Sequence, residues 1–300
     1  MTLRLSENFR ALFYAPFYAA EATGHFRDAG IEVALRASPD PAMAQRALLA
    51  GEVEVMWGGP LRVMTHHHED PRSPLVCFCD VVARDPFFVV GRAPRPDFTL
   101  ADLTRATLAT VSEVPTPWIC LQDDLRRAGI DPASVERIAG NTMADNEAAL
   151  RAGTVDAVQL FQPFAERLVR SGAGHVWYAA ATRGLTAYTT LTTRRDVLAG
   201  RRDELLAMTR AMHRTLCWFA MTQADDIARC LAPYFPDVPA QLFAQCIERY
   251  RALGLWATDP LIRREGVERL HAAMRGAGVL TRDVAFEAFV DTSLAAEAMR

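Results

Sequence analysis

Side chains capable of binding or catalysis recur in this sequence directly after segments that are predicted to be β-strands. Open α/β sheets bind ligands beyond the carboxyl ends of their strands, where loops and helix N-termini converge. We therefore expect these positions to line a small-molecule site. The candidate ligand-binding residues selected by this rule are Asn8, Phe9, Phe13, Tyr14, Ser38, Trp57, Gly58, Gly59, Arg62, Ser112, Glu113, Thr116, Trp118, Asn141 and Gln159.

The run Trp57-Gly58-Gly59-Pro60 is the most informative of these positions. Two glycines at the start of a helix expose backbone N–H groups and allow a ligand to approach closely. Pro60 suits the first helical turn, where its missing N–H costs nothing. A tight strand-to-helix turn beside a packed tryptophan is the competing interpretation, and we favour the binding site.

The charge of the expected ligand stays open, because the candidate residues favour opposite signs. Glu113 could accept a hydrogen bond from an amine or a protonated heterocycle, or it could satisfy a helix dipole. With Asn141, Gln159 and the nearby aromatic rings it favours a flat, nitrogen-bearing or amide-like ligand. Arg62 instead suits a carboxylate or a sulfonate. Thr116 is also explained as the N-cap of a helix.

Three consecutive histidines, His66, His67 and His68, suggest a metal hypothesis. Metal sites on helices use ligands three or four positions apart, whereas consecutive residues splay around the helix. We therefore predict a solvated helix end and no metal. The sequence has no G-x-S-x-G, P-loop or G-x-G-x-x-G motif at a strand–helix junction, so no catalytic residue and no cofactor are predicted.

Length and composition describe an ordinary globular protein of one or two domains. The chain has 300 residues, of which 50% are hydrophobic and 23% charged. Its net charge of −3 disfavours nucleic-acid binding. No run of about 18 apolar residues is present, so membrane insertion is not predicted. The cysteines form no disulfide framework and are predicted to be buried thiols.

Strand and helix signals alternate over the first 92 residues. The predicted strands are 3–5, 31–35, 53–57, 75–82 and 87–91, and the predicted helices include 15–29 and 41–50. This rhythm is typical of an α/β fold with a mostly parallel sheet covered by helices. Cys77 and Cys79, two positions apart on one strand, are expected to point to the same face.

A second series of strands and helices follows a linker-like break at residues 93–96. From residue 196 onward the pattern is helical, and the last helix is predicted at 286–299. We therefore expect a first lobe that begins with residues 1–92, a second lobe of 93–186, and a return to the first lobe with C-terminal helices over 187–300.

Several short motifs in this order resemble one protein family. Ala15-Pro16-Phe17-Tyr18-Ala19-Ala20 and Gly30-Ile31-Glu32-Val33 are similar to the opening of the nitrate/sulfonate/taurine-type substrate-binding proteins of ABC transporters. The family's "L..G.vD.." element is matched twice, at residues 49–55 and at 150–157. The first copy has Glu54 in place of the usual Asp. Asp291-Thr292-Ser293-Leu294-Ala295 is similar to the closing helix of the family.

The resemblance covers nearly the whole chain and implies a two-lobed type II periplasmic-binding fold. Two hinge strands, near 87–92 and 186–193, would cross between the lobes, and the ligand would lie in the cleft between them. A more distant relative is the thiamine-pyrimidine-synthase-like branch, which carries a cysteine-rich motif beyond its second hinge strand. Here Cys77-Phe78-Cys79 lies in the first lobe instead, and Arg62 stands where that branch has its donor histidine.

The function expected from the resemblance is the non-catalytic binding of a small organic ligand, with an ABC permease as a partner. An enzyme or a cytosolic sensor on the same scaffold is the alternative, because a fold does not fix a function. The sequence as it stands begins without a secretory signal, which predicts a cytoplasmic protein, or a periplasmic one whose signal has been removed.

Overall fold

The computed structural model describes residues 2–38 and 40–300, which form two compact α/β units. The first unit contains the chain up to residue 84, together with residues 185–271 and 280–300. The second unit contains residues 85–184 and 272–279. No helix in the described part of the chain is long and apolar enough to span a membrane.

The strands are numbered in chain order. They are β1 (Thr2–Ser6), β2 (Glu32–Arg36), β3 (Val55–Gly58), β4 (Leu75–Val82), β5 (Phe88–Gly91), β6 (Leu108–Val111), β7 (Arg137–Asn141), β8 (Ala157–Leu160), β9 (His175–Ala179) and β10 (Thr189–Arg194).

The α-helices are numbered in the same way. They are α1 (Ala15–Ala22), α2 (His25–Asp28), α3 (Pro41–Leu49), α4 (Pro60–Glu69), α5 (Thr116–Arg127), α6 (Met143–Ala152), α7 (Phe164–Arg170), α8 (Arg195–Gly200), α9 (Arg202–Met221), α10 (Ala224–Leu231), α11 (Ala240–Ala252), α12 (Arg264–Gly276), α13 (Phe286–Phe289) and α14 (Ser293–Ala298).

Each unit contains one mixed five-stranded sheet. The strand order is β2-β1-β3-β10-β4 in the first unit and β7-β6-β8-β5-β9 in the second. In each sheet one strand runs against the other four, namely β10 in the first and β5 in the second. The prediction of mostly parallel sheets covered by helices is therefore confirmed, with one reversed strand in each.

The boundaries of the units differ from those expected for the lobes. β5 pairs with β8 and β9, so the chain enters the second unit at Asp85 rather than after residue 92. β10 pairs with β3 and β4 and lies wholly in the first unit. The two strands that were expected to cross between lobes therefore each belong to one sheet. Each is the first strand that the chain forms after it changes units.

Two helices that the sequence predicts as continuous are interrupted. The segment 15–29 forms α1 and α2, because Gly24 adopts a left-handed conformation with φ of 78°. The C-terminal segment 286–299 forms α13 and α14, because Val290 is extended and makes a bridge with Cys77 of β4.

A β-bulge changes the expected orientation of the cysteines on β4. Cys77 lies opposite Thr192 and Cys79 lies opposite the adjacent residue Leu191, so the two thiols occupy opposite faces of the sheet. Both are buried, as predicted, but Cys217 is exposed and Cys230 is only partly buried. Periodicity alone could not reveal the extra residue in the strand.

Candidate functional site

The loop after β1 places a polar side chain among aromatic rings. Asn8 is 5% exposed, and its Nδ2 donates a hydrogen bond of 2.8 Å to the Tyr14 hydroxyl. The ring of Phe9 contacts those of Phe13 and Tyr14 at centroid distances of 6.0 and 5.3 Å. The structure thus brings these four predicted residues together at the carboxyl end of the first strand. Burial raises the pKa of Tyr14, which keeps its hydroxyl protonated.

Trp57 lies in the core of the first unit rather than on a ligand-accessible surface. Its side chain is fully buried, and its ring stacks on Phe17 at 4.6 Å with an interplanar angle of 3°. Tyr18 contacts the same indole edge-on at 5.5 Å. The competing interpretation, a packed tryptophan beside a tight turn, describes this side chain, because α1 already covers the ring. Its Nε1 is buried and has no hydrogen-bond partner among the described residues.

Each of the two glycines after Trp57 leaves room for a different neighbour. A Cβ on Gly58 would lie 3.6 Å from the Asn8 Oδ1 and 3.0 Å from the Met56 Cε. A Cβ on Gly59 would lie 3.3 Å from the Tyr188 carbonyl oxygen, so this glycine permits a close backbone approach. Gly59 is the N-cap of α4 and Pro60 its first residue, as the sequence predicts.

Arg62 lies in the first turn of α4 and is half-buried. Burial lowers the pKa of its guanidinium, and the negative charge of Asp40 opposes this effect. The guanidinium makes no hydrogen bond or ion pair with a described residue, so this cation remains available to an acidic group.

Ser38 lies beside the start of α3 and contacts its N-cap. Its hydroxyl donates to the Asp40 carbonyl at 2.7 Å, and Asp40 in turn caps α3 by accepting from the Met43 N–H at 2.8 Å. Ser38 lines a separate open cavity of about 600 Å³ that also contains Arg36 and Arg46. The charge of the neighbouring Asp40 acts on Arg62, and the place of Ser38 among the residues after β1 and β3 stays a prediction.

In the second unit, three predicted residues surround the start of α6. The Glu113 Oε1 accepts a hydrogen bond of 2.8 Å from the N–H of Met143, the first residue of that helix. The Ser112 N–H donates to the Asn141 carbonyl at 2.9 Å, which extends the pairing of β6 with β7. Glu113 is exposed, and its carboxylate lies at the positive N-terminal end of α6, as the helix-dipole interpretation states.

The remaining predicted residues of the second unit contact α5. Gln159 is 2% exposed, and its Nε2 donates to the Pro117 carbonyl at 2.9 Å, while its Oε1 has no partner among the described residues. Trp118 lies under the Arg137 guanidinium at 4.5 Å and packs on the core, so its ring face is occupied. Thr116 is the first residue of α5 rather than its N-cap, which is Pro115.

Sequence reasoning missed three polar residues at the carboxyl edge of the first sheet. Asp80, Thr189 and Thr190 are almost fully buried. Asp80 Oδ1 and Thr190 Oγ1 have no hydrogen-bond partner of standard geometry among the described residues, and the Thr189 hydroxyl lies beside that of Tyr14. A signal for Asp80 was present, because it is the single charged residue in the otherwise apolar β4 sequence LVCFCDVV. Thr189 and Thr190 lie in the segment 186–193, which the family resemblance implies to be the second hinge strand.

The three histidines of α4 each have a different structural contact. His66 Nδ1 lies 2.8 Å from the Ser73 hydroxyl, His67 Nε2 lies 2.9 Å from the Leu75 carbonyl, and His68 Nε2 lies 3.2 Å from the Thr281 hydroxyl. In the described residues no group of three or more His, Cys, Asp or Glu side chains could hold a metal ion.

The two α/β units, each with one reversed strand, define a two-lobed periplasmic-binding-type fold. The aliphatic sulphonate binding protein SsuA of Escherichia coli has a similar structure, with a TM-score of 0.76, 16% identity and 94% coverage of both chains. The desulfurization enzyme DSZB is also similar, with a TM-score of 0.70, 14% identity and coverage of 99% of this chain and 98% of that enzyme.

Sequence comparison assigns the family. The NMT1/THI5-like family model matches residues 13–224, so the chain belongs to the NMT1/THI5-like family. It is 24% identical over 295 residues to YtlA of Bacillus subtilis (strain 168), whose name describes a candidate binding protein. The match covers 98% of this chain and 88% of YtlA. The resemblance stated from the sequence motifs is therefore confirmed at the level of the family and the fold.

Proposed function

We propose that this protein is the ligand-binding component of an ABC-type import system and that it binds a small organic molecule. One observation carries the proposal. The carboxyl edge of the first sheet collects buried polar atoms that lack partners of standard geometry among the described residues, namely Asn8 Oδ1, Thr190 Oγ1 and Asp80 Oδ1. Buried polar groups are normally hydrogen-bonded, so a cluster of exceptions at a strand edge indicates a place where a ligand supplies the missing partners.

The family and the named functions of similar proteins support this proposal. An import component also requires a permease, which is the partner that we propose, and a periplasmic location is the one that suits this role. The position of the ligand in a cleft between two lobes stays a prediction.

A two-step experiment tests the proposed function. Native mass spectrometry of the purified protein would detect a co-purified small molecule. A thermal-shift panel of sulfonates, aromatic acids, amino compounds and thiamine precursors would then identify the class that stabilises the fold. We expect one class to raise the melting temperature. Absence of a bound molecule together with no stabilisation by any class would contradict the proposal.

An enzyme on the same scaffold is the second candidate, because the desulfurization enzyme DSZB shares the fold. The two candidates differ in the fate of the ligand. A binding protein returns a stabilising ligand chemically unchanged after prolonged incubation, whereas an enzyme converts it. Mass spectrometry of the incubated ligand distinguishes them.

A further inference from the structure

The register of the first sheet aligns Gly58 with two of the unexplained polar residues. Thr190 of β10 lies opposite Gly58 of β3 on one side and opposite Asp80 of β4 on the other. Residues that face each other across neighbouring strands project to the same face of a sheet. Thr190 and Asp80 therefore lie side by side, and Gly58 continues the same row without a side chain.

Asn8 completes this row at its other end. Its Oδ1 lies 3.6 Å from the position that a Cβ of Gly58 would occupy. Its Nδ2 is held by the Tyr14 hydroxyl at 2.8 Å, which fixes the orientation of the amide and leaves the oxygen facing Gly58. Asn8, Thr190 and Asp80 are 5%, 0% and 3% exposed. We call Asn8, Gly58, Thr190 and Asp80 the acceptor row.

The chemistry of the row is one-sided. Asn8 Oδ1 can only accept hydrogen bonds, Asp80 can only accept them once it has lost its proton, and a threonine hydroxyl can accept as well as donate. None of the three side-chain oxygens Asn8 Oδ1, Thr190 Oγ1 and Asp80 Oδ1 has a partner of standard geometry among the described residues. The Thr190 hydroxyl lies beside the Cys77 thiol, which is only a weak partner. With Asp80 ionised, the row therefore offers more acceptors than donors.

We infer that the acceptor row recognises an N–H-donating group of the ligand, such as an amidine, an amide or a protonated amine, and that Asp80 is its specificity-determining residue. This inference rests on the proposed function and assigns a ligand class to that site. A sulfonate has no hydrogen to donate and would place its negative charge beside the Asp80 carboxylate, so the row disfavours it. An N–H donor instead satisfies the acceptors, and a cation adds a charge-assisted bond to Asp80.

The test uses four probes of matched shape that differ only in the head group, namely benzamidine, benzamide, benzoate and benzenesulfonate. Each is titrated at pH 8, where Asp80 is ionised, into the full chain, and binding is followed by the backbone amide signal of Gly58 in ¹H–¹⁵N NMR spectra. We expect benzamidine to bind most tightly and benzamide next. Tighter binding of either anion, or no response of Gly58 to benzamidine and benzamide, would overturn the inference.

Two isosteric variants and one control assign the effect to the row. Asp80→Asn should raise the Kd of benzamidine by about tenfold and that of benzamide by less than about threefold, because only the cation loses its counter-charge. Thr190→Val should weaken both. Thr192→Val is the matched control, because Thr192 lies two residues further along the same strand and outside the acceptor row. Its hydroxyl lies 3.6 Å from the Cys77 Sγ. This variant should leave both Kd values unchanged.

The outcomes separate this inference from the proposed function. Equal affinities of the wild type, Asp80→Asn and Thr190→Val for benzamidine would overturn the inference, and a ligand found by native mass spectrometry would still support the proposed function. The proposed function is contradicted only if the two-step experiment also detects no co-purified molecule and no ligand class that stabilises the protein.

Discussion

The guanidinium of Arg183 lies 2.5 Å from the carboxylate of Asp85, and the two side chains are 4% and 0% exposed. The Nε of Arg183 also donates to both oxygens of Asp124 at 3.0 and 2.9 Å, and Tyr178 donates to Asp124 at 2.9 Å. Asp85 begins the main segment of the second unit and Arg183 is its last residue but one. This buried pair therefore ties together the two ends of that segment.

Replacing Arg183 should destabilise the protein severely. Arg183→Met leaves Asp85 and Asp124 buried without their counter-charge, which costs about 3–5 kcal/mol of unfolding free energy. Urea unfolding followed by circular dichroism measures this loss. Arg127→Met is a suitable control, because its partner Asp123 forms a surface pair with a half-exposed arginine and contributes less than about 1 kcal/mol. Similar losses in both variants would contradict the structural role of the buried pair.

Trp57 should behave as a core residue. Trp57→Ala removes the ring that stacks on Phe17 and leaves a cavity, so we expect a loss of about 3–5 kcal/mol in unfolding free energy. Trp57→Phe keeps an aromatic ring in the stack and should cost less. Thermal and urea unfolding compare the two variants. An unchanged melting temperature for Trp57→Ala would show that the ring is not packed as described.

Asp80 should make stability fall as the pH rises. Burial raises the pKa of Asp80 to about 7 from its usual 3.8, and Asp259 adds to this, while the Val81 N–H and Arg263 oppose it. Cys77 and Cys79 are the other titratable groups nearby, and burial keeps both protonated. Between these two pKa values the folded state binds a proton that the unfolded state has lost, so stability decreases from pH about 4 to about 7 and then levels off.

The comparison of wild type with Asp80→Asn isolates this effect. The variant has no carboxyl group to ionise, so the two proteins should be similar near pH 4, and the variant should be more stable at neutral pH by up to about 4 kcal/mol. Urea unfolding at several pH values provides the measurement. Parallel stability curves for the two proteins would show that Asp80 is not responsible for the pH dependence.

Arg62 should be dispensable for folding. Its guanidinium has no hydrogen-bond or ion-pair partner in the described residues, so Arg62→Met should change the unfolding free energy by less than about 0.5 kcal/mol. If the acceptor row sets the ligand class, the variant should also bind benzamidine at least as tightly as the wild type. Titration of both proteins with benzamidine and benzenesulfonate checks this. A marked loss of benzamidine binding would assign the ligand contact to Arg62 instead.

The sequence by itself determined the local architecture. The alternation of strands and helices, the helix start at Pro60 and the polar positions after β1 depend on backbone preferences and on hydrophobic period, which act within a few residues. These rules placed Asn8 and Tyr14 after the same strand, and the structure joins the two side chains by a hydrogen bond.

Tertiary structure alone decided which of the remaining side chains are available. Trp57 is covered by Phe17 of a preceding helix, the bulge in β4 turns Cys79 away from Cys77, and β10 brings Thr190 between Gly58 and Asp80. The contacts of Trp57 and Thr190 join separate elements of the chain, and the bulge in β4 is defined by its register with β10, so each depends on packing or strand register. Packing and strand register depend on the energy of the whole fold and not on a few neighbouring residues. For this reason no local sequence pattern revealed the acceptor row.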